Sequence, residues 1–305
     1  MFQAIKRVKF GLLLLVRFNK KKVTFMNTFP VNPENAVEMA RLLNQHTLLS
    51  NAMGGVLVEL SAEKKAHMHD VLDLACGPGG LVLEIARSFP HMQVTGVDIS
   101  TIMVTYGSTS AQSQALRNAH FIVMNIFEPL RFPDSSFDLV NGRLLSSIVK
   151  RNAWSPLLRE TFRICRAGGI MRLADWELFT SNSPALNQLI QLLAQAYYRS
   201  GRGLSADGKT PGVISHFSSL LQDAGFQNIQ EQAYTLNFSA STPLQAGFYQ
   251  DALSGFQVLK PFFLNLSLIS ETDFQQLYQQ MLVETSAPDF HVTCDALIAW
   301  GEKPV

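Results

Sequence analysis

One ten-residue stretch, Val71-Leu72-Asp73-Leu74-Ala75-Cys76-Gly77-Pro78-Gly79-Gly80, constrains what this chain can fold into more than any other. An apolar run that includes an acid and stops at glycines reads as a short buried strand followed by a tight turn. The residues after it, Leu81 to Arg87, favour helix and contain no breaker. Strand, glycine turn and helix in this order aim backbone N–H groups and a helix N-terminus at a ligand. Glycine is needed there because a Cβ would obstruct both the turn and the ligand's approach.

The residues downstream continue the pattern. Gln93–Asp98 is a second β-rich run ending in an acid, and Asp98 lies 19 residues beyond Gly79. That matches the spacing of about 20 residues at which a nucleotide-binding fold sets a carboxylate on ribose hydroxyls. Two hydroxyl donors suit the two oxygens of one carboxylate. A helix is predicted from Ser100 to about Gln114, then strands over His120–Met124 and Phe137–Val140 around a turn-rich loop. A helix around Trp154–Cys165 breaks at Gly168-Gly169, and Ile170–Ala174 forms a fifth strand. Alternating strands and helices predict a doubly wound, parallel α/β sheet with its ligand at the strands' carboxyl ends.

Composition fills in the rest. With 47% hydrophobic and 16% charged residues the chain has ample core. Residues 1–25 carry seven basic residues and no acid, leaving 18 basic against 24 acidic residues in the body. A body of that sign argues against a nucleic-acid partner. In the basic head, Gly11–Val16 is too short to span a bilayer, and no small-residue cleavage site follows it. Two readings stand for residues 1–25: a weak membrane-surface tether without stable insertion, or an extension upstream of a start at Met26. Cys76, Cys165 and Cys294 are far apart and odd in number, which suits a reducing, cytoplasmic setting. His67 and His69 stand alone, so no metal site is expected.

Past the fifth strand, Gly203–Thr210 matches the phosphate-loop pattern letter for letter. That motif needs a strand before it and a helix from its lysine. Here a helical spacing of Leu186, Leu189, Ile190, Leu193 and Tyr197 precedes it and Pro211-Gly212 follows, so a surface loop between helices is expected. A helix from Phe217 closes at Gly225; Asn228–Phe238 is β-like and Val292–Trp300 is a last strand. Thr242–Leu264 and Glu271–Glu284 read as helices, the first carrying Phe248, Tyr249, Phe256, Phe262 and Phe263. With 33–55 and 184–200 they are expected to cap an apolar pocket; the competing reading makes the aromatics simple core.

The ordered set Val71–Gly80, Asp98, Met124–Asp138 and Arg166–Gly169 resembles class I S-adenosylmethionine-dependent methyltransferases, in their small-molecule, ubiquinone-biosynthesis-like branch. The match covers about residues 70–175, and Ala75 replaces the family motif's first glycine. The resemblance implies a Rossmann-like doubly wound sheet, mostly parallel with an antiparallel C-terminal strand, plus a helical cap. The implied organisation is a basic extension (1–31), N-terminal helices (32–68), a cofactor-binding core (69–180) and a C-terminal half with cap insertions (181–305). S-adenosylmethionine would contact Asp73, the turn at Ala75, Gly77 and Gly79, Asp98, Ile99, Met103, Asn125, Ile126 and Asn141. Asn125 stands where the family often has an aspartate, and Asn141 has a bland reading as a strand-end turn residue. Alanine at 75 is expected to keep ordinary φ, leaving the bend to Gly77 and Gly79.

A nicotinamide dehydrogenase shares the sheet type, but its third glycine would fall at Val82. Methyl transfer to O, N or C of a small, apolar or aromatic acceptor is the expected reaction. Asp175 and Glu177, taken as surface carboxylates beyond the fifth strand, are candidate bases, and Arg143 a candidate anchor for an anionic acceptor. A protein or RNA methyltransferase and a non-catalytic, cofactor-binding regulator are the alternatives.

Overall fold

Seven strands form one sheet in the order β3-β2-β1-β4-β5-β7-β6 in a computed structural model that describes residues 30–31 and 35–305. The basic head with its tether reading, and Asn32 to Glu34 of the expected first helix start, lie outside the described residues. Strands β1 (Asp70–Leu74), β2 (Gln93–Asp98), β3 (Ala119–Val123), β4 (Phe137–Arg143) and β5 (Cys165–Ser181) pair in parallel. The expected antiparallel C-terminal strand is β7 (Val292–Glu302), which runs against both β5 and β6 (Gln227–Asn237). The order reverses between β1 and β4, and such switch points open a ligand crevice at the carboxyl ends of the strands.

Each face of the sheet buries a separate apolar layer. Leu72, Leu74, Val140, Met171 and Leu173 pack on Trp154, Leu157 and Leu158 of α5 (Trp154–Ile164) and on Phe217 and Leu221 of α7 (Phe217–Asp223). Val71, Leu139 and Ile170, one residue out of phase, pack with Leu81, Val82 and Ile85 of α3 (Gly80–Ser88). Period-two alternation puts the two sets on opposite faces. A third cluster joins α1 (Ala36–Ala52), α6 (Pro184–Arg199), α8 (Gln245–Asn265) and α9 (Glu271–Thr285) over the ends of β6 and β7. Helices α2 (Ala62–His67) and α4 (Thr101–Ser113) complete the set.

Local signals explain most boundaries. Helix α1 begins one residue after Asn35, whose side chain caps it by accepting from the Val37 N–H. Ser100, Ser183 and Ser270 cap α4, α6 and α9 in the same way. The Gly168-Gly169 break lies inside β5, which starts at Cys165, with Gly168 at φ 75. Strand β5 also continues to Ser181, because β7 supplies antiparallel partners as far as Ser181↔Val292.

Two glycines make room for one ring between α3, α4 and β3. A Cβ on Gly79 would lie 2.2 Å from the Phe121 ring, and one on Gly107 would lie 2.6 Å from it. Gly79 also holds φ +84, whereas Gly54, at φ +82, has open space around it. Gly79→Ala is therefore expected to cost about 2 kcal/mol or more, strain plus overpacking, and Gly54→Ala only about 1 kcal/mol. Urea denaturation of the two variants checks the difference.

Candidate active site

The turn after β1 holds three left-handed residues: Ala75 at φ 50, Gly77 at φ 54 and Gly79 at φ 84. This corrects the expectation for Ala75, which takes part in the bend. The Cys76 N–H donates to the Val97 carbonyl at 2.9 Å, tying the turn to β2 and holding the backbone where alanine is strained. Asp98 closes the turn from the other side. Its Oδ2 accepts from the Gly77 N–H and its Oδ1 from the Ser100 N–H, both at 2.9 Å.

Beneath the turn runs a buried polar row. Asp73, Asn141 and Arg172 are direct cross-strand neighbours on β1, β4 and β5. The Asn141 amide donates to Asp73 Oδ1 at 2.7 Å, and its Oδ1 accepts from Arg172 Nη1 at 2.7 Å. Arg172 continues the row to Glu59, whose side chain is fully buried. Burial pushes the Asp73 carboxyl up to about 6, against the pull of Arg143 and Asn141 toward the charged form.

A cavity of about 320 Å³ opens from this turn toward the helices. Eight of the ten expected cofactor residues border it: Asp73, Ala75, Gly77, Asp98, Ile99, Met103, Asn125 and Ile126. Gly79 and Asn141 do not. Gly79 is occupied with Phe121, and Asn141 is wholly buried inside β4, neither at the cavity nor in a turn. Asn125 makes a local turn, accepting from the Phe127 N–H at 3.1 Å and donating to Glu128 at 3.1 Å.

The candidate reacting residues also sit differently from expectation. Asp175 and Glu177 belong to β5 and line the cavity; Asp175 is only 3% exposed and is no surface carboxylate. Its oxygens accept the Ser146 and Trp176 N–H groups at 3.0 and 2.9 Å, and burial raises its carboxyl to about 6. Glu177 accepts the Gly212 N–H at 3.0 Å and is raised by burial too. Arg143 ends β4 and donates to His46 Nδ1 at 2.9 Å, while His46 Nε2 faces Glu84 at 2.9 Å. That contact fixes the neutral tautomer with Nδ1 as acceptor, and burial lowers the His46 pKa in agreement. Sequence reasoning missed this relay and the partners Arg172 and Glu59, because each residue lies alone in its own segment.

The far wall comes from Leu186, Ile190 and Leu193 of α6, Phe248, Phe256 and Leu259 of α8, and Trp176 and Phe179 of β5. Helix α1 closes the side: Arg41 pairs with Glu38 at 2.6 Å and with Asp251 of α8 at 3.0 Å. Phe263 instead packs in the core against Phe274. Segment Gly203–Thr210 is a loop after α6 with no strand before it. Among the described residues no group of three or more His, Cys, Asp or Glu could hold a metal, and no helix is long and apolar enough to cross a membrane.

The donor set suits S-adenosylmethionine on chemistry. A carboxylate lies at the end of β2, apolar side chains Ile99, Met103 and Ile126 follow it, and Gly77 presents no side chain to the cavity. Removing the centre of the polar row tests its cohesion. Asn141→Ala leaves Asp73 and Arg172 without their buried partner and is expected to cost about 2–3 kcal/mol. Asp73 and Asp175 bind protons more tightly folded than unfolded. Their contribution is full below the unfolded carboxylate range and is lost as pH rises through about 6. Denaturation midpoints between pH 4 and 8 check both statements.

The descriptive family "Methyltransferase domain" matches residues 71–169. A demethylmenaquinone methyltransferase of Listeria welshimeri is 28% identical over 186 residues, covering 56% of this chain and 76% of the relative. A malonyl-[acyl-carrier protein] O-methyltransferase of Paenibacillus is 23% identical, covering 61% and 66%. The YcgJ protein of Bacillus subtilis overlays with a TM-score of 0.48 at 21% identity, covering 78% of this chain and 92% of that one. By this match, residues 71–169 form a methyltransferase domain of the S-adenosylmethionine-dependent kind, and the chain is similar to the demethylmenaquinone and malonyl-[acyl-carrier protein] enzymes.

Proposed function

We propose that the chain moves a methyl group from S-adenosylmethionine to O, N or C of a small acceptor with an apolar or aromatic body. One observation carries the reading: a single cavity is bordered by the glycine turn on one side and by Leu186, Ile190, Phe248 and Phe256 on the other. Cofactor residues and an apolar acceptor wall thus share one enclosed space, as transfer between two bound molecules requires.

When bound, S-adenosylmethionine supplies a methyl group on a positively charged sulfur. Asp98 would hold the ribose hydroxyls, its oxygens already oriented by the Gly77 and Ser100 N–H groups. Ile99, Met103 and Ile126 would pack on the adenine, with Asn125 at its edge. The turn from Ala75 to Gly79 would follow the methionine part, and Asp73 would face its ammonium group. Asn141 is a positioning residue in this scheme, orienting Asp73 from below. Helices α1, α6 and α8 exclude water from the acceptor.

Asp175 is the proposed proton acceptor for a protic acceptor, since two backbone N–H groups fix its carboxylate at the cavity wall. Glu177 lies on the same wall, tied to Gly212, and Arg143 is committed to His46. The proposed compartment is the cytoplasm, in keeping with three free thiols.

Calorimetry with S-adenosylmethionine followed by a methyl-label screen of apolar and aromatic acceptors tests the reading; absence of cofactor binding would sink it. Asp98→Ala is expected to weaken cofactor binding at least about tenfold, the loss of a charge-assisted contact to two hydroxyls. With a protic acceptor the rate should rise with pH through about 6, because Asp175 must be ionised to take the proton. Asp175→Asn should lower that rate by about 100-fold and flatten the profile. An unchanged profile in the variant would remove Asp175 from the role.

A further inference from the structure

Negative charge is in excess where the acceptor would lie. Of the acids lining the cavity, Asp73 and Asp98 belong to the cofactor's end, which leaves Glu38, Asp175, Glu177 and Asp251. The two arginines lining it are already engaged. Arg143 acts on Asp73 and donates to His46, and Arg41 pairs with both Glu38 and Asp251. Asp175 has no ion-pair partner among the described residues. It is 3% exposed, two backbone N–H groups donate to it, and the charged side chain that acts on it most strongly is Glu177, a second acid. A carboxylate that accepts two N–H groups still has free lone pairs, and a buried negative charge without a cation is costly.

Tyr197 connects these groups. It lines the cavity from the last turn of α6, and Asp175, Arg41, Arg202 and Glu38 all act on its hydroxyl. Arg202 is behind the wall: it does not line the cavity, and its Nε and Nη2 are buried. The Tyr197 hydroxyl makes no hydrogen bond among the described residues, and burial keeps it neutral. It therefore offers a donor and free lone pairs to whatever fills the space. Trp176, Phe179, Phe248 and Phe256 line the same space, and aromatic ring faces attract cations. Free carboxylate lone pairs, an unpaired phenol and ring faces are together a site for a positively charged N–H donor.

We propose that the acceptor is an amine on an apolar or aromatic body, which enters the cavity as its ammonium and is received by Asp175 and Tyr197. This rests on the reading of the cavity as the site of methyl transfer, and it selects nitrogen among O, N and C. An ammonium brings three N–H donors and the missing positive charge. An alcohol leaves Asp175 without a cation, and an acid adds one more negative charge to the wall. Asp175 takes one proton from the ammonium, which frees the nitrogen lone pair. That pair forms the new N–C bond to the methyl group while the S–C bond breaks and its electrons stay on sulfur. The products are the methylated ammonium, S-adenosylhomocysteine and a protonated Asp175.

Tryptamine, tryptophol and indoleacetate share one aromatic body and differ in the charge of the tail. They serve as probes, titrated at neutral pH into the protein saturated with S-adenosylhomocysteine and followed by calorimetry. Wild type is expected to bind tryptamine at least about tenfold more tightly than tryptophol, and indoleacetate most weakly. Asp175→Asn should bring tryptamine to about the affinity of tryptophol, and Tyr197→Phe should weaken tryptamine about fivefold, both with unchanged S-adenosylhomocysteine affinity. The wild-type ranking and Tyr197→Phe decide the matter if Asp175→Asn does not fold. In the methyl-label screen the label should end on nitrogen. Equal or reversed affinities in wild type, no binding of any probe, a preference that survives Asp175→Asn, a Tyr197→Phe variant that binds tryptamine as wild type does, or label on oxygen or carbon would each overturn the proposal. Failure of S-adenosylhomocysteine to bind wild type would count against the cofactor reading instead, and the three probes measured without it would still decide the charge preference.

Discussion

A buried polar row spanning three parallel strands holds the centre of this molecule in register. Asp73, Asn141 and Arg172 meet side by side on β1, β4 and β5, and Arg172 anchors the row to Glu59. Slipping any of the three strands by one residue would turn a charged or amide side chain into the layer formed by Leu72, Val140 and Met171. Burying such a group without its partner is costly, so the row restricts the sheet to one alignment. The glycine turn starts two residues after Asp73, and its position over the crevice follows from that alignment.

Around this centre the structure divides its work. Away from the polar row the two sheet faces are apolar layers held by packing, whereas the helices over the cavity are joined by polar ties. Arg41 bridges to Asp251, Asn44 donates to the Gly247 carbonyl at 2.9 Å, and Glu284 receives Ser183 and the Ala185 N–H of α6. Polar ties between helices need their partners in specific positions, which suits a wall that must keep its shape around a cavity. The relay Glu84–His46–Arg143 does the same between α1 and the sheet.

Much of the fold was legible because its signals are local. Asp98 was readable from spacing, since the length of one strand–turn–helix unit sets where the next strand ends. Ile99, Met103 and Ile126 came only with the resemblance, since no local pattern marks an apolar residue as facing a ligand. Asn141 was misplaced because β4 runs three residues further than its apolar run indicates. Its continuation depends on β5 lying beside it, which no local pattern reports. The burial of Asp175 escapes the sequence for the same reason: β7 arrives from more than a hundred residues away to extend β5. Ala75 departs from its own backbone preference because the hydrogen bond from Cys76 to Val97 imposes a left-handed turn on whatever residue stands there.

By itself, then, the sequence determined the alternation of strands and helices, the glycine turn, the acid one unit later and the family they resemble. These are properties of short segments, written in periodicity, capping and spacing. Only the tertiary structure decided which side chains meet: the row under the turn, the relay behind Arg143 and the two backbone donors on Asp175. Each depends on residues from distant segments arriving within hydrogen-bonding reach, and that distance is set by the packing of whole layers rather than by any stretch of chain.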